Sequence, residues 1–322
     1  MRLPALLLLP CALARQLPLV IWHGLGDTYD SPGLTDLADL ANSTHPGTQT
    51  HIISLSLDSS LDRRATFLGH VPTQINTTCQ ILSALPEPFS SGFNAIGFSQ
   101  GGQFLRALVQ TCPTLPPVNT LITFGSQHNG ITQFLAECGT FDFACKAAKG
   151  ALDAGKWSEW AQKNVVPAQY YRDPADLESY LEHSGWLADI NNERKEKNSS
   201  YAERFGEVER VVLVGFKGDA TVMPRESAWF ADVVVGEKRD VQWVRDRRLW
   251  KEDWVGLKRV DDRDGLEFLE IEGEHMRFEE GVLEQFFEVY LGPHGKVGDV
   301  VRDGKKVTYP GPEKPKGQEG EL

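Results

Sequence analysis

The stretch Phe93-Asn94-Ala95-Ile96-Gly97-Phe98-Ser99-Gln100-Gly101-Gly102-Gln103-Phe104-Leu105-Arg106-Ala107 constrains the fold more than any other part of this chain. It reads as a short apolar strand, a sharp turn and an amphipathic helix. Gly97-Phe98-Ser99-Gln100-Gly101 fits G-x-S-x-G, where a serine sits on a strained strand-to-helix turn and projects Oγ clear of the sheet. Glycines flank it because a Cβ there would collide with the neighbouring strand and helix. Ser99 is therefore a candidate nucleophile, and its setting demands an α/β architecture.

The rest of the chain alternates in the same way. Apolar strands are expected at Leu17–Trp22, His51–Leu57, Asn119–Phe124, Val211–Phe216 and Leu266–Ile271, with helices at Pro72–Leu85 and Glu279–Leu291. Continuous apolar strands alternating with helices imply a mostly parallel sheet covered on both faces. Residues 131–205 are rich in helix formers and aromatics and show no clear strand, so they read as a helical insertion capping the site. The charged, Gly/Pro-rich stretch 293–322 has too little apolar content for a core and is expected to be disordered.

The N-terminus carries location signals. Met1-Arg2, an apolar run and Ala12-Leu13-Ala14 read as a secretory signal peptide over 1–14, too short for the roughly 20 residues that span a bilayer. A buried N-terminal strand is the alternative. Without Cys11 the chain keeps Cys79, Cys112, Cys138 and Cys145, an even set suited to disulfides, with three pairings open. They lack C-x-x-C spacing, so no zinc site is expected. Asn42, Asn76 and Asn198 head N-glycosylation triplets. The net charge of −12 argues against a nucleic-acid partner.

A serine nucleophile needs a base, and the base needs an orienting acid. Active residues in parallel sheets gather beyond the carboxyl ends of strands. Asp219 follows one downstream strand and His275 the next, giving the order Ser, Asp, His of α/β-hydrolases. Taken singly, Asp219 reads as a turn former and His275 as a surface histidine; the order and the spacing unite them. His128 also follows a strand but has the wrong chain order, and is assigned to the site wall. The oxyanion donors are expected to be the backbone N–H groups of Gln100 and of Leu25 in His23-Gly24-Leu25-Gly26.

These segments resemble the palmitoyl-protein thioesterase family of α/β-hydrolases, lysosomal enzymes that remove fatty acyl groups from protein cysteines. The resemblance runs from Leu17 to Gly292. It rests on Leu17–Asp27, Gly97–Ala107, Gly125-Ser126-Gln127-His128-Asn129-Gly130, Trp186–Arg194, the Asp219 segment and Glu272-Gly273-Glu274-His275. It implies one domain over 15–292, an acyl-serine mechanism without metal or organic cofactor, S-acylated proteins as substrates, and a lysosomal, vacuolar or extracellular location. It also implies the pairs Cys79–Cys112 and Cys138–Cys145. The chain departs from the family in having Tyr29-Asp30-Ser31-Pro32 where adjacent cysteines are usual, in a divergent charged segment from Val233 to Asp264, and in its tail.

The insertion carries Phe134, Leu135, Phe141, Phe143, Trp157, Trp160, Trp186 and Leu187. Some of these are expected to line an apolar groove to Ser99. Gln127, His128, Trp186 and Leu187 are the foremost wall candidates, the last two on resemblance. Two other functions stay open at this stage: a lipase or general carboxylesterase, because fold and triad leave the leaving group unspecified, and a catalytically silent lipid- or protein-binding module.

Overall fold

The computed structural model describes residues 16–135, 137–140, 142–234, 240–292, 301–302 and 305–306. The stretch 1–14, expected to be a signal peptide, lies outside them, as does nearly all of the 293–322 stretch. Within the tail, Val301–Arg302 pairs antiparallel with Lys305–Lys306.

Six parallel strands form the central sheet. They are β1 (Leu19–Trp22), β2 (Thr50–Ile52), β3 (Phe93–Phe98), β4 (Val118–Phe124), β5 (Arg210–Phe216) and β8 (Leu266–Ile271), in spatial order β2-β1-β3-β4-β5-β8. A small antiparallel hairpin, β6 (Asp232–Val234) with β7 (Asp240–Gln242), stands outside it. The strands are apolar along their whole length because both faces are covered, and successive side chains alternate between the faces. Leu19, Ile21, Ile96, Phe98, Ile122 and Phe124 join one core with Leu34, Leu37, Phe286 and Phe287 of α1 (Pro32–Thr44) and α13 (Val282–Tyr290). Val20, Trp22, Ala95 and Leu121 face the opposite core with Ile75 of α3 (Val71–Ser83) and Phe104 and Leu108 of α4 (Gln100–Thr111).

The strand expectations differ from the structure mainly at β2, which stops at Ile52 rather than continuing to Leu57. The Leu55 N–H is taken by a carboxylate oxygen of Asp62, so the chain leaves the sheet edge. Asp58 then caps α2 (Ser59–Phe67) by accepting from Ser60 and Leu61. Between β4 and β5 the expected helical stretch forms α5 (Phe143–Gly155), α6 (Glu159–Asn164), α7 (Val166–Gln169), α8 (Leu177–His183), α9 (Leu187–Ile190) and α10 (Ser199–Gly206). Two short helices, α11 (Arg248–Lys251) and α12 (Leu257–Asp261), cross the charged segment.

Two disulfides are present. Cys79–Cys112 ties α3 to the end of α4, and Cys138–Cys145 pins the start of α5. Both pairs are those the family resemblance implies. Asn42, Asn76 and Asn198 are all exposed. No helix among the described residues is long and apolar enough to cross a membrane.

Candidate active site

The strand order reverses around β1, whose neighbours are β2 on one side and β3 on the other. Such a switch point opens a crevice beyond the strand ends. The loop after β1 and the turn after β3 meet there. Ser99 occupies that turn at φ 51°, ψ −123°, a positive φ that an L-residue adopts only under strain. Backbone contact on both sides enforces it. A Cβ at Gly101 would lie 2.3 Å from the Trp22 carbonyl oxygen, and one at Gly97 would lie 2.3 Å from the Gly102 Cα. The Ser99 N–H donates to the Phe124 carbonyl at 2.8 Å, which anchors the turn to β4.

Ser99 Oγ lies 3.1 Å from His275 Nε2, and His275 Nδ1 lies 2.7 Å from Asp219 Oδ2. His275 follows β8 and Asp219 follows β5, two strands adjacent in the sheet. The second Asp219 oxygen accepts from the N–H groups of Thr221 and Val222, both at 2.9 Å. That carboxylate is thus held rigidly and is almost wholly buried. With Nδ1–H donating to Asp219, Nε2 is left free to accept the Ser99 proton.

Gln100 opens α4, so its N–H belongs to the first-turn donors that have no intrahelical acceptor. The helix dipole adds partial positive charge at the same end. Leu25 and Gly24 stand across the crevice beside Ser99. The two loops carrying the expected oxyanion donors therefore flank the serine.

Supports of these loops escaped sequence reasoning. Asp62 of α2 is fully buried; it accepts from the N–H groups of Leu55 and Tyr29 and lies 3.1 Å from His23 Nε2. Burial alone would raise its pKa, yet the hydrogen bonds from His23, Leu55 and Tyr29 outweigh it and hold the carboxyl below its usual range. Thr66 accepts from the Gly26 N–H at 2.8 Å. The Gln100 side chain joins Thr66 to the insertion: its Nε2 donates to the Thr66 carbonyl, and its Oε1 accepts from Tyr170 Oη at 3.2 Å. These partners lie 34–70 residues apart, and no local pattern marks them.

The crevice widens into an apolar cavity of about 500 Å³. Ser99, Leu25 and His275 are among the residues that line it. Leu34 and Leu37 of α1 form one wall with Met276, Phe278 and Leu283; Ile131, Phe134 and Leu135 from the insertion form another, with Gln127 and Tyr170. Of the four foremost wall candidates, only Gln127 lies here. His128 is fully buried, stacks on Phe230 at 4.7 Å and hydrogen-bonds Thr123. Burial, with the Arg106 charge, pushes its pKa well below the ordinary value. Trp186 packs edge-on against Phe104, and Leu187 closes on Gly130, where an added Cβ would lie 2.6 Å from it. Both are buried core residues, Trp186 against α4 and Leu187 against the loop after β4. Phe143 and Trp160 face outward instead, and Phe141 lies outside the described residues.

The model of the family described as palmitoyl protein thioesterase matches residues 18–275. Palmitoyl-protein thioesterase 1 of Caenorhabditis elegans is 34% identical over 84% of this chain and 89% of its own length. Palmitoyl-protein thioesterase 3 of Dictyostelium discoideum is 31% identical over 83% of this chain and 90% of its own. Lysosomal thioesterase PPT2-B of Xenopus laevis is 26% identical, over 84% and 90%. The doubly covered parallel sheet is that of an α/β-hydrolase, and the matched stretch runs from β1 to His275. By that extent of match and that identity, this chain belongs to the palmitoyl protein thioesterase family.

Proposed function

We propose that this protein is a serine thioesterase that releases long-chain fatty acids from acylated cysteines of proteins. The observation that carries the reading is the hydrogen-bonded chain Ser99–His275–Asp219 opening onto an apolar cavity. Ser99 Oγ attacks the thioester carbonyl while His275 Nε2 takes its proton. Asp219 orients the imidazole and stabilises imidazolium. The carbonyl oxygen becomes an oxyanion held by the N–H groups of Leu25 and Gln100. The intermediate collapses, the C–S bond breaks and His275 protonates the departing thiolate. Water then attacks the acyl-serine, giving up a proton to His275, and the fatty acid leaves with Ser99 restored. A thiol of pKa about 8.5 departs far more readily than an amine or alcohol, so acylation is the easier half.

The cavity suits the acyl chain. Its lining is mostly apolar, and each CH₂ buried there contributes about 0.8 kcal/mol. Residues 15–292 act as one catalytic domain in which 131–205 roofs the site. A secretory or lysosomal setting is supported by the two disulfides, the exposed glycosylation triplets and the lysosomal relative.

The test compares hydrolysis of a palmitoyl-cysteine peptide, the matching palmitoyl-serine ester and a triglyceride, by wild type and Ser99→Ala. The thioester should be cleaved fastest by wild type and hardly at all by the variant. Preference for the triglyceride or the oxygen ester would make the protein a lipase or general carboxylesterase instead.

A further inference from the structure

We propose that Thr66 is a positioning residue for acyl transfer, whose hydroxyl and carbonyl hold the two halves of the oxyanion hole in register across the crevice. The inference rests on the proposed function and names the side chain that sets its oxyanion donors.

The expected donors stand on separate segments: Leu25 in the loop after β1, and Gln100 at the start of α4. Two N–H groups serve one oxyanion only when each is held within about 0.5 Å of its working position. Thr66 of α2 is bonded to both segments. Its Oγ1 accepts from the Gly26 N–H at 2.8 Å, which fixes the peptide unit that joins Leu25 to Gly26. Its carbonyl accepts from Gln100 Nε2 at 3.3 Å.

Each of these bonds is directional. The Thr66 hydroxyl gives its own proton to the Arg63 carbonyl at 2.7 Å, so a lone pair is what it turns to Gly26. Thr66 is the penultimate residue of α2, so its carbonyl is among the last four, which lack an intrahelical donor, and is free to take Gln100. Gln100 is held from its other end as well, since Oε1 accepts from Tyr170 Oη at 3.2 Å. Thr66, Gln100 and Tyr170 are all buried, where a hydrogen bond is electrostatically stronger than in water.

The loop after β1 has little slack beside the serine. A Cβ at Gly24 would lie 3.3 Å from Ser99 Cβ, so a shift of the loop is felt at the nucleophile. Asp62, one turn before Thr66 on the same helix face, accepts from the Tyr29 N–H and lies 3.1 Å from His23 Nε2. Helix α2 therefore grips the loop at His23, Gly26 and Tyr29. A threonine placed only to fill the core would need no more than its bond to Arg63. Thr66 makes two further bonds, and both go to segments that carry an expected oxyanion donor.

The test uses the full chain and a short soluble acyl thioester. Thr66→Val and Thr66→Ala each remove the hydroxyl, and the one whose melting temperature lies closer to wild type carries the comparison; Thr66→Ser keeps the hydroxyl. Acylation and deacylation both form an oxyanion, so kcat should fall about ten- to a hundredfold without the hydroxyl, whichever half limits turnover. Thr66→Ser should restore it. Inhibition by an alkyl trifluoromethyl ketone, whose carbonyl adds Ser99 Oγ and becomes an oxyanion, should weaken by the same factor. Binding of the uncleaved thioester to Ser99→Ala should be unchanged when the hydroxyl is also removed, which a general loosening of the site would not allow. Unchanged kcat, a Thr66→Ser variant as slow as the others, weakened thioester binding or unaltered ketone inhibition would overturn the proposal. The same rates on the matching p-nitrophenyl ester separate the two claims. Cleavage of the ester alone by wild type would overturn the thioesterase reading, and the role of Thr66 would then stand or fall on the ester series.

Discussion

Ser99 holds a positive φ without the freedom of glycine because Gly97 and Gly101 let β1, β3 and α4 meet backbone to backbone. Sequence alone could place it because strand, turn and helix are local patterns. Asp219 and His275 were legible for a weaker reason: each follows a strand in the right chain order. Asp62 and His23 were not, since their pairing joins residues 39 apart and leaves no periodic trace. Asp219→Asn should keep the fold and lower kcat by about 10⁴, because the amide favours the wrong imidazole tautomer; steady-state kinetics beside a thermal melt check this. His128 supports a different expectation. Its folded pKa is lowered by burial and by Arg106, so the unfolded chain binds the proton more readily. Stability from this group is full above about pH 6.5 and is lost as pH falls towards the folded value, at about 1.4 kcal/mol per pH unit. Urea unfolding at pH 7.5, 6.5 and 5.5 should show a shallower acid slope in His128→Gln than in wild type. Identical slopes would remove His128 from the account.

Among the elements, α1 is the one that the sequence expectations lack. Leu34, Leu37 and Ala41 are spaced for one helix face, and Leu34 and Leu37 form a cavity wall. In the insertion Trp186 turns inward against α4 and Leu187 against Gly130, while Phe134 and Leu135 reach the cavity. Composition told that the insertion was apolar but not which residue faced which cavity, because its helices are short and their register is set by tertiary contacts. Leu37→Trp should therefore shift the preferred acyl chain to a shorter length, read as kcat/KM across a series of acyl thioesters below micelle formation; an unchanged preference would place the chain elsewhere. The Cys79–Cys112 bridge joins α3 to α4, the helix that Ser99 opens. Replacing both cysteines with alanine should cost about 2–5 kcal/mol in chemical denaturation.

At the scale of the whole molecule, the strands of the sheet position Ser99, Asp219 and His275, and the insertion covers the cavity they open onto. Alternating apolar strands made the first half of that division legible. The second depends on buried polar joints that composition hides. Arg172 holds Asp232 and Glu193, and Arg247 reaches Glu193 as well, which ties the insertion to the β6–β7 hairpin. Burial would raise the pKa of both carboxyls, but the two arginines hold them below the usual range. Their stabilisation is thus present above about pH 4, where unfolded carboxyls ionise, and fades as pH falls through the folded values. The joint should persist under mildly acidic conditions. In the proposed reaction the fatty acyl group passes through Ser99. Rapid quenching of wild type with palmitoyl-cysteine peptide, followed by peptide mass analysis, tests it most directly. A palmitoyl increment should appear on the peptide that contains Ser99 and decay as free palmitate appears, with no increment or turnover in Ser99→Ala. Turnover retained by Ser99→Ala, or an acyl group found on another residue, would contradict it.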